Sequence, residues 1–125
     1  MKSGLILFAH GARDARWALP FEAVAARVRA RRPGTPLRLA YLEFMRPTLP
    51  EAGAELAAEG CSRIQVLPMF LGAGGHVRQD LPLLIQQLIS AHPGLTASLL
   101  PAVGEIDSVS AAMAEAALQC LDEAA

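Results

Sequence analysis

Two histidines and a glutamate stand where they could bind a divalent metal ion or move protons: His10, Glu43 and His76. His10 follows the apolar run Leu5–Ala9 and precedes Gly11, Glu43 lies near the end of the apolar run Leu37–Phe44, and His76 follows the turn Gly72-Ala73-Gly74-Gly75. Two neutral imidazoles with a carboxylate suit Fe²⁺, Co²⁺, Ni²⁺ or Zn²⁺. The same groups can also take protons from a substrate. A lone histidine is more often structural or solvated than a ligand. That plainer reading is kept for His92, in Ala91-His92-Pro93, which is placed to complement a helix C-terminus. Glu43 has a structural alternative as a helix-facing salt bridge or the partner of Arg46.

Arg13, Arg16, Arg46 and Arg78 fall in loops or first helical turns near these three residues. Each alone reads as part of a solvated rim; as a set they suit a polyanionic ligand, because guanidinium pairs well with carboxylate. Trp17, the single tryptophan, either packs on a flat ring or is buried beside the first helix. The turn that contains Gly74 and Gly75 precedes a helix, which can hold an anion. It lacks G-x-G-x-x-G spacing and a Walker lysine, so a nucleotide site is disfavoured. The glycines read instead as permitting unusual backbone angles and close approach to a ligand or a second subunit.

The elements that must position these residues alternate. Leu5–Ala9 reads as a buried parallel strand. A helix follows over about Ala15–Arg32, with Phe21, Val24, Ala25 and Val28 on one face, Pro20 in its first turn or marking a later start, and Arg27, Arg29, Arg31 and Arg32 in wetter positions. Leu37–Phe44 is the second strand. Thr48-x-x-Glu51 is a capping box opening a helix that runs to about Glu59, with Gly60 beyond its end. Arg63–Leu67 is the third strand, followed by the glycine turn and a helix that stops by Pro93-Gly94. Leu95–Leu100 is the fourth strand, and Asp107 or Ser108 caps a last alanine-rich helix to about Asp122. This alternation predicts a three-layer α/β fold: an open, parallel, four-stranded, flavodoxin-like sheet with helices on both faces, in which the first three strands are adjacent if the order is 2-1-3-4. Ligands of such sheets bind beyond the C-terminal strand ends, where His10, Glu43 and His76 would converge.

Composition sets the outer bounds. The 125 residues suit one domain spanning 1–125, and 53% hydrophobic with 18% charged residues describes a chain able to bury a core. The formal net charge of -1 and 5% aromatic content give neither a basic field nor stacking platforms, so nucleic acid is not an expected partner. Cys61 and Cys120 form no C-x-x-C pair, no stretch approaches a membrane span, and the N-terminal apolar run is too short for a signal sequence. The expectation is a cytoplasmic protein that does not enter a membrane.

Three stretches, in order, resemble the short CbiX/SirB-type sirohydrochlorin chelatases. Leu7-Phe8-Ala9-His10-Gly11-Ala12-Arg13-Asp14 is similar to that family's opening LxxHGSRD, with Ala12 in place of the usual serine. Tyr41-Leu42-Glu43-Phe44 is similar to its second-strand FLE segment. The run from Pro68 through Gly74-Gly75-His76 to Asp80-Leu81-Pro82 is similar to its PxFLxxGxHxxxDIP signature, with Leu81 in place of isoleucine. The resemblance covers most of the chain. It implies a chelatase half-domain that inserts a divalent metal, Co²⁺ or Fe²⁺ and by ligand type also Ni²⁺, into a sirohydrochlorin-like tetrapyrrole of cobalamin or siroheme biosynthesis. No ATP and no organic cofactor are implied. His10 and His76 would hold the incoming ion, and Glu43 would assist binding or deprotonation. Arg13, Arg46 and Arg78, with the open turn at Gly74 and Gly75, would receive the carboxylate-rich substrate. Longer chelatases of this type contain two such halves, so a homodimer whose edges enclose the macrocycle is expected.

Two rival readings differ in class. A histidine phosphatase would carry Arg-His-Gly after the first strand, whereas Ala9 precedes His10 here. A non-catalytic carrier of metal or tetrapyrrole needs the same ligands as a chelatase, and only turnover separates the two.

Overall fold

The computed structural model describes residues 2–72 and 74–124; of His76 it describes the backbone and not the side chain. Four strands, β1 (Ser3–Ala9), β2 (Leu37–Tyr41), β3 (Arg63–Pro68) and β4 (Thr96–Leu99), form one all-parallel sheet of order β2-β1-β3-β4. The flavodoxin-like order on which the convergence of the three site residues depended is the observed one. β1 lies in the interior, paired with β2 through Leu7↔Leu39 and with β3 through Leu7↔Leu67.

Alternation along β1 divides the core between the two faces of the sheet. Ile6 and Phe8 point to one side, where Ile64 and Val66 join Leu49, Ala52 and Leu56 of helix α2 (Leu49–Ala58) and Leu81, Ile85 and Leu88 of helix α3 (Gly75–Ala91). Leu7 and Ala9 point to the other side, against helix α1 (Leu19–Arg31). Each fully buried large side chain of this kind contributes roughly 1.5–3 kcal/mol. Gly53 lets α2 approach α3: a Cβ there would overlap Leu88 Cδ1.

Local signals explain most element ends. The capping box is formed: Glu51 N–H donates to Thr48 Oγ1 at 3.4 Å, and Thr48 N–H donates to Glu51 Oε1 at 2.9 Å. Gly60 follows α2 at φ 95°, in the left-handed region that glycine tolerates. His92 is the C-cap of α3, as its plainer reading held.

Three elements depart from expectation. The first helix begins at Leu19 rather than near Ala15, the later start that Pro20 allowed, because Ala15–Ala18 forms a 3-10 turn capped by Asp14, whose carboxylate accepts from Arg16 N–H. β2 stops at Tyr41 rather than Phe44: Tyr41 N–H donates to Pro47 O, and Phe44 adopts φ 66°, which no strand accommodates. The last helix, α4 (Asp107–Ala124), buries none of its residues and packs chiefly on the 3-10 turn Val103–Glu105, so it does not complete a layer of the sheet.

Candidate functional site

The site is assembled by loops that leave the C-terminal ends of adjacent strands. Beyond β1, the His10 carbonyl accepts from Glu43 N–H at 3.1 Å, one step past the ladder bond from Leu42 N–H to Ala9 O. On the other side of β1, Met69 N–H donates to Phe8 O at 2.7 Å. The loops after β2 and β3 are thus tied to the end of β1 from both sides, with His10 between them.

Gly11 makes the first junction possible. Its φ is 91°, and a Cβ on it would overlap the carbonyl oxygen of Glu43. Only glycine allows this backbone angle and this approach together. A His-Gly pair following an apolar strand is thereby explained: the glycine fixes where the histidine and glutamate loops meet.

His10 is exposed, and its ring lies 5.2 Å from that of Phe70 at 47°. Phe70 is buried and packs edge-on against Phe8 at 6.1 Å, so His10 rests on a fixed aromatic base. Its ring nitrogens make no hydrogen bond among the described residues and are open to a ligand. Glu43 is also exposed. It does not pair with Arg46, which instead forms an ion pair with Glu51. That pair, together with the Thr48 N–H bond, holds the Glu51 carboxyl down at about 2. His76 is the second residue of α3, the helix entered from β3, the strand next to β1. Its side chain lies outside the described residues. Among the described residues, no group of three or more His, Cys, Asp and Glu side chains is arranged to hold a metal ion.

The arginines divide by environment. Arg13 is exposed and stands over the ring of Phe44, 5.0 Å from its centroid. Arg16 is occupied by Asp14 at 2.8 Å, and Arg78 reaches Glu105 at 3.4 Å. Trp17, half-buried in the turn before α1, packs on Phe21 and Tyr41 at 4.7 and 6.4 Å. Burial beside these rings raises the Tyr41 hydroxyl above its ordinary range, and the Glu22 charge adds to the effect. Gly74 is the N-cap of α3, at φ -69°, and Gly75 opens the helix. Around both there is open space where a side chain would go. At Gly74 the unusual backbone angle expected of this turn is therefore absent, and what the pair provides is room.

Sequence reasoning passed over Phe44. Its apolar pattern puts it at the end of a strand, whereas it is 57% exposed in a left-handed conformation next to Glu43. No local pattern announces this, because the conformation follows from the junction between Gly11 and Glu43.

The CbiX family model matches residues 4–120. The sirohydrochlorin cobaltochelatase of Methanothermobacter thermautotrophicus is 36% identical over 85 residues, 65% of this chain and 56% of that protein. The protein of the same description from Methanocaldococcus jannaschii is 31% identical over 93 residues, 70% of this chain and 62% of that protein. The matched stretch thus spans little more than half the length of these relatives. A crystal structure from Marinobacter aquaeolei VT8, described as a candidate CbiX protein of cobalamin (vitamin B12) biosynthesis, superposes with a TM-score of 0.85 at 30% identity, covering 97% of this chain and 98% of that one. SirB from Bacillus subtilis with Fe³⁺ shares the fold at a TM-score of 0.74 and 24% identity, with 87% of this chain matching 43% of that longer one.

Proposed function

Because this chain belongs to the CbiX family, we propose that it is a sirohydrochlorin chelatase, inserting Co²⁺ or Fe²⁺ into the macrocycle without ATP or an organic cofactor. The observation that carries this reading is the placement of His10: an exposed imidazole with open nitrogens, fixed on Phe70 between the loop bearing Glu43 and the loop leading to α3. His10 and His76 are the proposed ligands of the incoming ion. Imidazole binds these ions firmly enough to capture them and less tightly than thiolate, so the ion can be released to the macrocycle.

Insertion replaces two pyrrole N–H protons with one divalent ion. Glu43 is the proposed acceptor of a proton or an additional metal contact, since its backbone is bonded to that of His10 and, among the described residues, no arginine pairs with it. Arg13 and Arg78, at the rim of the same edge, are proposed to meet substrate carboxylates. Arg78 would have to leave Glu105, and Arg46 to leave Glu51, to do so. The open space at Gly74 and Gly75 would admit the edge of the ring. Turnover tests the reading: sirohydrochlorin with excess Co²⁺ should give many metallated macrocycles per protein. One per site would make the chain a carrier.

The homodimer belongs to the same proposal, and α4 supports it. Val109, Met113, Ala116, Ala117, Cys120 and Leu121 recur at helical spacing on one face, with Met113 44% and Leu121 66% exposed. Every charged residue of α4 is acidic: Asp107, Glu115, Asp122 and Glu123. On the sheet, α1 lies over β1 and β2, while Arg63 and Gln65 of β3 and Thr96 and Ser98 of β4, in register on the same face, are exposed. Parallel sheets are rarely left open on one face. A second copy fits by charge, its acidic α4 lying beside Arg27, Arg31 and Arg63, with the exchange reciprocated.

A further inference from the structure

Two large apolar side chains are exposed on the loops that flank the end of β1, where His10 lies: Phe44 at 57% and Leu71 at 69%. Both sit on pinned backbone. The Phe44 loop is held through the Glu43 N–H to His10 O bond and the tight approach of Gly11 to the Glu43 carbonyl. The Leu71 loop is held through Gly104, whose N–H donates to Phe70 O at 3.0 Å and whose missing Cβ leaves room for the Leu71 carbonyl. Mobile loops often expose apolar groups; fixed ones that do so mark surfaces meant to be covered.

Phe44 carries a second anomaly. It is the only non-glycine residue with positive φ among the described residues, at 66°. For a bulky residue this region costs of the order of 1 kcal/mol or more, and asparagine or glycine would occupy it more comfortably. The fold gains no burial in exchange, since most of the ring faces solvent. Arg13 lies 5.0 Å from the ring centroid, so the ring is oriented and a guanidinium is held beside it.

We infer that Phe44 is a tetrapyrrole-contacting residue. Its ring, with Leu71 on the other flanking loop, forms an apolar wall against the macrocycle, and Arg13 is positioned at the wall's edge to pair with a peripheral carboxylate. This rests on the chelatase reading and extends it to residues outside the metal-binding set. A flat, apolar ring with anionic substituents matches the arrangement: apolar supports on the loops that flank a metal-binding imidazole, and a cation at the margin. The ring's contribution is to substrate binding rather than to the exchange of protons for metal.

The test compares Phe44→Asn and Phe44→Tyr with wild type. Quenching of fluorescence measures binding of metal-free sirohydrochlorin, steady-state Co²⁺ insertion gives kcat and KM, and thermal unfolding and sedimentation report fold and assembly. Phe44→Asn should bind the macrocycle about tenfold more weakly, with kcat within roughly twofold of wild type and a melting temperature no lower than wild type, because asparagine tolerates this backbone region. Phe44→Tyr should keep wild-type binding. Unchanged binding in Phe44→Asn overturns the inference. So does a melting temperature or sedimentation coefficient that falls with the binding, which would make Phe44 a structural or intersubunit residue. If wild type binds and inserts while Phe44→Asn is indistinguishable from it, this inference alone fails. If wild type binds no sirohydrochlorin, the chelatase reading fails with it.

Discussion

Gly11→Ala is the perturbation whose consequence is most directly calculable. The added methyl cannot occupy its place: it would overlap the Glu43 carbonyl oxygen and lie 3.0 Å from the carbonyl carbon, on backbone at φ 91°. Backbone, unlike the tip of a flexible side chain, cannot move aside cheaply. The loops after β1 and β2 must separate by roughly 1 Å, a displacement that can cost about 10²-fold in catalysis. The left-handed conformation adds about 1 kcal/mol of strain for alanine, and loss of the junction raises the total to about 2–3 kcal/mol, a melting shift of roughly 10 °C for a chain of this size. Gly34→Ala is the control, since nothing lies within 4 Å of a Cβ there. Differential scanning calorimetry and the Co²⁺-insertion rate should show both losses in Gly11→Ala and neither in Gly34→Ala. Wild-type insertion by Gly11→Ala would refute the claim that this junction sets the His10–Glu43 geometry.

Gly53→Ala should destabilise by about 1–2 kcal/mol in urea denaturation, because overpacking against Leu88 outweighs the gain in helix propensity. Glu51 has a carboxyl depressed from 4.5 to about 2 by Arg46 and Thr48, so its contribution to stability is complete above pH 4.5 and is lost as pH falls toward 2. Glu51→Gln should therefore flatten the fall in urea midpoint across that window, and an unaltered slope would show that the pairing is not coupled to folding. Met113→Glu with Leu121→Glu should convert a dimer into a monomer by light scattering, with far-UV circular dichroism retained; a dimer in the double variant would place the contact on another face.

The alternation of strands and helices and the capping box were legible because they depend on local signals: apolar runs at strand length, Pro and Gly at element ends, and Thr48 three residues before Glu51. The positions of His10 just past β1 and of His76 in the first turn of the helix after β3 followed from the same alternation. The end of β2 was not legible, because Phe44 turns out of the strand where Gly11 meets the Glu43 carbonyl, a contact between residues far apart in sequence. Arg46 was assigned to the ligand, yet it lies within reach of Glu51 as well, and sequence alone does not rank the two. The alanine-rich α4 has the periodicity of a packed helix, but periodicity specifies a face and not the molecule that covers it.

The central claim, that His10 and His76 together deliver the ion, is tested most directly by one measurement: the rate of Co²⁺ insertion into sirohydrochlorin, followed by absorbance, for wild type, His10→Ala and His76→Ala, each shown to be folded by circular dichroism. The account predicts multiple turnovers for wild type and loss of insertion in both variants. Wild-type rates in both variants would contradict it.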